Sequence, residues 1–380
     1  MDGTCVPSAD DLRTEIVECL EKQGFALTDG ALSIPKMRDK DLYRGLQKLA
    51  VDTRLAVTGR NLQRHEKHLI SYIADGDEVN PDAISPKLII VESDSEYELL
   101  FRYTTLHWSI PVSPGYGRRL RFLVMDESNG KLIGLLGLGD PVFALQARDK
   151  WIGWDMAARK RSLYHVMDAY VLGAVPPYSD LLCGKLVALL ALSNQVRDAF
   201  RLKYGDKPSL IKGLVRKPFL ALITTSSALG RSSIYNRLAI HGFPYWNSVG
   251  YTQGSGDFHF SNGVYGKIRA FVEENCTATA KQSAWGSGFR NKREVIRKCL
   301  AKVGLPADLI YHGIQREIFV APTGHDTLRF LSGKTDDPGQ YDWSAHSLFL
   351  RFRQRWLLPR AERKPDFRCF SRDDYRLWPD

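Results

Sequence analysis

The chain has 380 residues, of which 44% are hydrophobic and 25% are charged, as in an ordinary globular protein. It contains no apolar run of roughly eighteen residues, and its acidic N-terminus lacks the apolar stretch of a signal peptide. We therefore expect a cytoplasmic protein without a membrane span. The six cysteines form no C-x-x-C pair, which argues against a zinc ribbon or a dithiol redox motif.

The charge is divided unevenly along the chain. Residues 1–100 contain 12 Lys and Arg against 19 Asp and Glu, a net charge of −7. The remaining 280 residues carry a net charge of +17. A basic body of this kind is typical of a protein that binds a polyanion, and nucleic acid is the commonest polyanion in the cytoplasm. A surface charge that serves only solubility is the alternative.

Residues 1–88 predict an acidic module of short helices, either helical or winged-helix-like. Asp10 or Asp11 can cap a first helix, because apolar residues recur after them at helical spacing. Further helices are predicted at 40–50 and 60–74. Two X-Pro steps between residues 80 and 86 indicate a linker.

Residues 89–275 predict an α/β (α+β) domain with a mixed sheet. Strands are expected in KLIIVES and SLYHVMDAYVLGAV, in KPFLALITTSS and YWNSVGYTQG, and in a hairpin of RRLRFLVMD with KLIGLLGLG. The connection of that hairpin contains Asn129-Gly130, a strong turn signal. Helices are expected in SDSEYELLFRYTTLHWSI, in PYSDLLCGKLVALLALSNQVRDAFRLKYG, where one long helix is predicted, and in SSIYNRLAIHGF, where a short one is predicted. This alternation is typical of helices packed on a sheet.

The order of these elements resembles the GCN5-related acyltransferase fold. In that fold a central strand leads into a glycine-rich turn at a helix N-terminus, where backbone N–H groups receive the pyrophosphate of coenzyme A. Here only Gly184 matches the family's glycines, and Tyr178, Leu181 and Leu182 fill the other positions. Larger side chains obstruct the approach of a phosphate to the backbone, so no cofactor is predicted.

Tyr235, in SSIYNRL, fits the position where many such acyltransferases place a general-acid tyrosine. The preceding TTSSALGRSS is rich in hydroxyl groups and contains Arg231, and we expect a helix to begin beside it. A positive helix end and a guanidinium both stabilise a phenolate, so Tyr235 and Arg231 are candidate catalytic residues for strand cleavage. A tyrosine that only caps the sheet is the alternative.

Asp257 and His259, in GYTQGSGDFHF, share one face if this stretch is a strand. Proton transfer and metal binding both require such a pairing, and we count both residues as catalytic candidates. The spacing does not complete a metal site, so a divalent metal is compatible with this hypothesis without being predicted by it.

Two segments carry candidate nucleic-acid contacts. RDKWIGWD places basic groups beside indoles, a combination that suits single-stranded nucleic acid. A buried tryptophan pair with a surface turn at Arg148–Asp149 is the alternative. Residues 276–380 predict a basic, aromatic-rich extension with a helix at 290–303 that contacts phosphates. The candidate contacts are Arg148, Lys150, Trp151, Trp154, Arg231, Lys292, Arg293 and Arg297.

Several unusual strings carry a resemblance to one known family. They include YGRRLRFLVMD, ARDKWIGWD, KPFLALITTSSALGRSSIYNRL, VGYTQGSGDFHFS and IYHGIQREIFV. With SLYHVMDAYVLGAVPPYSDLLCGKLVALLALSNQV they cover over half of the chain and resemble the DruA family of the Druantia anti-phage defence system.

This resemblance implies a bacterial defence component that acts on phage DNA. It also implies that the protein acts beside other Druantia proteins, which include a large helicase-like partner. It brings no settled list of catalytic residues. Two classes of function therefore stay open. One is a module that binds DNA through the basic core and C-terminal region. The other is an enzyme that acts on nucleic acid, by strand cleavage or joining through Tyr235 or by group transfer.

Overall fold

The computed structural model describes residues 6–28, 30–34, 40–112, 117–205, 217–240, 242–261, 263–279, 285 and 289–378. These residues form a mixed α/β fold, as predicted. The strands are β1 (Ala26–Thr28), β2 (Ala31–Ser33), β3 (Pro86–Ile90), β4 (Arg119–Asp126), β5 (Lys131–Gly139), β6 (Val166–Ala174), β7 (Leu222–Ser226), β8 (Ala239–Ile240), β9 (Phe243–Pro244), β10 (Asn247–Tyr251) and β11 (Glu317–Pro322).

The helices lie between the strands and after them. They are α1 (Ala9–Lys22), α2 (Lys40–Gln63), α3 (Glu66–Leu69), α4 (Glu96–Thr105), α5 (Gln146–Ile152), α6 (Met156–Ser162), α7 (Cys183–Leu190), α8 (Asn194–Tyr204), α9 (Val264–Asn275), α10 (Phe289–Lys302), α11 (Thr327–Leu331), α12 (Ala345–Phe352) and α13 (Leu358–Arg363). A π-helical turn joins α12 to α13. No helix among the described residues is long and apolar enough to cross a membrane.

A seven-stranded sheet runs through the centre in the order β10-β11-β7-β6-β5-β4-β3. Neighbouring strands are antiparallel except for β6 and β7, which are parallel. The predicted β4–β5 hairpin is confirmed: Gly130 adopts a left-handed φ of 72°, and the Asn129 side chain accepts a hydrogen bond from the Lys131 N–H. Asparagine followed by glycine tolerates this conformation, which explains the turn.

Several predicted helices differ in the structure. Ser8, rather than Asp10 or Asp11, caps α1 by accepting a hydrogen bond from the Asp11 N–H. The helices predicted at 40–50 and 60–74 are replaced by the single long α2 and a short α3. The long helix predicted after β6 is two helices, because a turn at residues 191–193 separates α7 from α8. SSIYNRLAIHGF contains turns and β8 in place of the predicted helix.

Hydrophobic packing crosses the predicted boundaries at residues 88 and 275. Residues of α1 and the first half of α2 share one core with α9, α10 and the segment up to Ile314. The sheet takes β11 from the region predicted as a C-terminal extension and places it between β7 and β10. Strand β11 is almost entirely buried, as expected of a central strand. The sequence around β11 contains no turn signal that would predict its pairing with β7.

Candidate functional site

A cleft opens where the two parallel strands separate. Strands β6 and β7 pair only from Val166 opposite Leu222 to Asp168 opposite Thr224. Beyond this point β6 continues for six residues beside β5 alone, with a bulge at Tyr170 where the register shifts. Bulges recur next to functional sites because they redirect a side chain. The separation leaves a cleft of about 190 Å³ between the strand ends.

Parts of the chain that are far apart in sequence line this cleft. One wall comes from β6 and the other from the end of β7 with the turn that follows it. A segment after Gly230 lies across the top, and Lys40 with two residues after α4 completes the entrance. The lining residues are Lys40, Trp108, Ile110, Ala169, Tyr170, Leu172, Thr225, Ser226, Ser227, Ala228, Leu229, Arg231, Ser232, Ser233, Ile234 and Tyr235.

Two hydroxyls and one carboxylate hold the base of the cleft. The Thr224 hydroxyl donates to the Asp168 carboxylate at 2.7 Å, and the Thr225 hydroxyl donates to the Ala169 carbonyl at 2.8 Å. Burial raises the pKa of Asp168, while Thr224 and the charges of Arg148 and Arg119 oppose that rise. The two strands thus stay connected at the point where they begin to diverge.

One buried hydroxyl in the cleft is without a hydrogen-bond partner among the described residues. Ser227 is 5% exposed, and its Oγ has no hydrogen-bond partner among the described residues. Ser232 instead accepts the N–H of Ile234 in a local turn, so it stabilises the segment rather than facing a ligand. A buried hydroxyl without a hydrogen bond destabilises a fold by about 1–3 kcal/mol. Ser227 is therefore the polar group of the cleft that most strongly indicates a ligand.

Lys185 anchors the segment that covers the cleft. It is 7% exposed in α7 and donates hydrogen bonds from Nζ to the carbonyls of Ser233 and Ile234, at 3.0 and 2.8 Å. Burial, with a smaller contribution from the charge of Arg237, lowers the pKa of Lys185 to about 8. Lys185 is not among the predicted site residues, although a lysine inside the apolar run LLCGKLVALL is a recognisable signal.

The start of α7 does not fit the pyrophosphate of coenzyme A. Leu182 precedes the helix with a left-handed φ of 63°, and the buried Tyr178 bonds to Asp126 at 2.9 Å. A Cβ on Gly184 would lie 3.2 Å from Ile234, so the covering segment already packs on this helix end. A pyrophosphate site needs backbone N–H groups that are open to the ligand. At the start of α7, side chains of the protein itself occupy the space that the pyrophosphate would need.

Tyr235 and Arg231 do line the same cleft, as their predicted association requires. The predicted helix beside them is absent from the described residues 232–238, so no helix end stabilises a phenolate. The Tyr235 ring packs 5.1 Å from Trp246 and 4.9 Å from Phe319, and its phenol lies within reach of Thr225. Burial raises the pKa of Tyr235, which disfavours a resting phenolate. Its assignment as a nucleophile stays a prediction.

Asp257 and His259 do not form the predicted strand face. They belong to a short 3-10 turn in the core shared by α1 and α10. Asp257 pairs with Lys292 at 3.0 Å, and the fully buried His259 donates from Nε2 to the Leu309 carbonyl at 2.8 Å. Burial lowers the pKa of His259 to about 4, so the imidazole is neutral at physiological pH. No group of His, Cys, Asp and Glu within the described ranges is arranged to hold a metal.

The RDKWIGWD segment forms a hydrogen-bonded cluster around Asp149 and does not form a uniform basic surface. Arg148 is fully buried, and its guanidinium donates to Asp149 and to the carbonyls of Val142 and Phe143. The Trp154 indole donates to the same Asp149 at 3.0 Å. Lys150 is exposed and Trp151 is half-buried. The structure agrees only in part with the alternative of a buried tryptophan pair and a surface turn at Arg148–Asp149. Trp154 is buried, but Trp151 is half-buried and Arg148 is buried within α5.

Helix α10 is confirmed, but its cations differ in availability. Lys292 is held by Asp257 and donates to the Ser261 hydroxyl at 2.6 Å. Arg293 is half-buried, and its Nε has no hydrogen-bond partner among the described residues. Arg297 is exposed. Of the three predicted phosphate contacts on this helix, Arg297 is therefore the most accessible.

Comparison with known proteins identifies the family. A family model described as Druantia protein DruA matches residues 37–333, a range that contains every residue lining the cleft. A relative from Escherichia coli (strain UMEA 4076-1), named Druantia protein DruA, is 40% identical over 365 residues, which are 96% of this chain and 90% of the relative. No solved structure matches the chain. The chain belongs to the Druantia protein DruA family.

Proposed function

We propose that this protein is the DNA-directed component of a Druantia anti-phage defence system. The membership of the DruA family supports the role in defence, and other Druantia proteins, including a large helicase-like one, are the proposed partners. We further propose that the protein binds DNA phosphates through a surface that we call the basic rim. The basic rim consists of the exposed cations Lys40, Arg231, Arg237 and Arg355.

The observation that carries this proposal is the lack of counter-charges along the basic rim. None of its four side chains forms an ion pair with a described residue, whereas Lys292 and Arg148 elsewhere do. Arg237 is close enough to Lys185 to contribute to its lowered pKa. Lys185 and Arg355 both approach the Trp356 ring, at 5.6 and 5.5 Å. Neighbouring cations repel one another, and a polyanion removes that repulsion when it binds.

Replacing Arg231 and Arg237 with glutamine tests the basic rim. If each arginine contacts one phosphate, the double variant should weaken duplex binding and reduce the slope of log K against log salt by about two. The measurement is fluorescence anisotropy of a labelled duplex at several salt concentrations. Both side chains are exposed, so folding should be unaffected.

A matched control changes the same number of charges elsewhere. Lys160 and Lys334 are exposed and have no ion-pair partner among the described residues. Their double replacement with glutamine should leave the salt slope nearly unchanged. An equal loss in the two double variants would mean that only net charge matters, and it would refute the basic rim as the binding surface.

The alternative function is an enzyme that acts on nucleic acid, and one observation favours it: the Tyr235 phenol lines the cleft. Strand cleavage or joining would use this phenol as the nucleophile on phosphorus, with Arg231 stabilising the developing charge. Group transfer by an acyltransferase-like core would use the same cleft. The raised pKa of Tyr235 weighs against the first of these reactions.

Tyr235→Phe separates binding from strand chemistry. We expect full phage protection and a loss of only about 1 kcal/mol in the free energy of unfolding, since one hydrogen bond is removed. Plaque counts and thermal melting measure the two effects in the same variant. Loss of protection by a variant that is folded and still binds DNA would contradict the binding-module function and support the enzyme.

A further inference from the structure

The size and the lining of the cleft between β6 and β7 suit one small, flat chemical group with polar atoms at its edge. Its volume of about 190 Å³ suits a single planar ring system with part of an attached chain. A double helix could contact its entrance only, because the bases of a duplex are stacked and paired. Any nucleic acid that enters must therefore present an unpaired nucleotide.

One side of the cleft is apolar and aromatic. Trp108 is half-buried and packs over Gly173, where a Cβ would lie 3.1 Å from the indole. Leu172 and Ile110 lie beside it in the lining. Glycine at this position leaves room for the indole against the strand. Aromatic side chains of this kind stack on bases irrespective of sequence, since every base has a π-face.

The other side is polar and contains an unsatisfied group. The Ser227 hydroxyl is buried in the lining without a partner among the described residues. Ser226, its neighbour at the end of β7, is exposed to the cleft. A base edge offers both donors and acceptors, so it can satisfy a hydroxyl that the protein itself leaves unpaired.

The entrance carries positive charge. Lys40 and Arg231 both line the cleft, are exposed, and form no ion pair with the residues that the structure describes. A nucleotide joins a flat base to a phosphate, and the cleft joins an indole and a free hydroxyl to two cations. The arrangement matches the parts of one nucleotide.

We infer that the cleft binds one unpaired nucleotide of single-stranded DNA, with the base beside Trp108 and Ser227 and its phosphate at Lys40 and Arg231. This inference rests on the proposed DNA binding and adds the form of the DNA that the protein recognises. The basic rim then holds the flanking phosphates, and the cleft selects a strand with an exposed base.

The experiment compares DNA ligands that differ only in the base. The full chain is titrated with a labelled single strand, with the same strand carrying abasic sites throughout, with a duplex, and with free dAMP and coenzyme A. We expect the normal strand to bind about tenfold more tightly than the abasic strand, and to quench tryptophan fluorescence. The two free compounds should bind much more weakly than the strand, because they lack flanking phosphates.

Two variants locate the effect in the cleft. Trp108→Leu should abolish the tenfold preference for the normal strand and leave binding of the abasic strand and the duplex unchanged. Trp151→Leu, which changes the half-buried tryptophan of RDKWIGWD, is the matched control and should retain the preference. Because Trp108→Leu could disturb packing on Gly173, Ser227→Val serves as a second variant that removes the hydroxyl and narrows the cleft.

The possible failures are distinguishable. Equal binding of the normal and abasic strands by the unchanged protein would overturn the nucleotide site while leaving the proposed phosphate binding intact. A preference that survives both Trp108→Leu and Ser227→Val would place the base elsewhere and also overturn it. Tight binding of free dAMP or coenzyme A would identify a small-molecule site and overturn the assignment of the cleft to single-stranded DNA. Absence of binding to every DNA ligand would refute the proposed function itself.

Discussion

Replacing Arg148 with methionine should lower the free energy of unfolding by about 3–5 kcal/mol. Arg148 is fully buried and donates four hydrogen bonds, two to Asp149 and two to backbone carbonyls. Methionine fills much of the same volume but satisfies none of these acceptors. Among the described residues, the Asp149 carboxylate would then retain the Arg159 guanidinium, the Trp154 indole and the Leu145 N–H as partners.

Chemical denaturation of the variant measures this loss, with Lys150→Met as the control. Lys150 is the exposed neighbour of Arg148, and its replacement should leave stability within about 0.5 kcal/mol. The comparison also tests the predicted nucleic-acid contact of Arg148. If Arg148→Met melts like the unchanged protein and binds DNA more weakly, Arg148 is a DNA contact and its buried role is refuted.

Deleting residues 1–34 should unfold the core that these residues share with α9 and α10. The deletion removes Leu12, Ile16, Leu20 and Phe25, all 3% exposed or less. Burial of one such side chain contributes about 1.5–3 kcal/mol, so their combined loss is comparable with the whole stability of a typical domain. We expect poor solubility and rapid hydrogen exchange in α9 and α10.

Substitution within α1 is the control for this deletion. Glu18→Gln changes an exposed residue of the same helix and should preserve both solubility and slow exchange. If the shortened chain keeps slow exchange in α9 and α10, the N-terminal segment is an independent module after all. Removal of the acidic segment could then be used to test whether it contacts a partner protein rather than DNA.

Local patterns predicted local structure well. The apolar spacing of α1 and α10, the Asn129-Gly130 turn and the strands β3 to β7 all follow from neighbouring residues, because helix periodicity and turn conformation depend on the nearby chain. The unusual strings also predicted the family. At the cleft, the sequence pointed to Tyr235 and Arg231, since both lie in one short segment that is rich in hydroxyls.

Long-range packing decided the rest. Sequence alone did not show that β11 enters the sheet, that Arg148 is buried, or that Asp257 is held by Lys292. It also missed Lys40, Trp108 and Ser227, which come from three distant parts of the chain and meet at the cleft where β6 and β7 separate. Composition determined that the protein is basic, whereas the tertiary structure determined which cations are neutralised and which are left without a counter-charge. The physical reason is that burial and ion pairing depend on contacts between segments far apart in sequence, and no local pattern records those contacts.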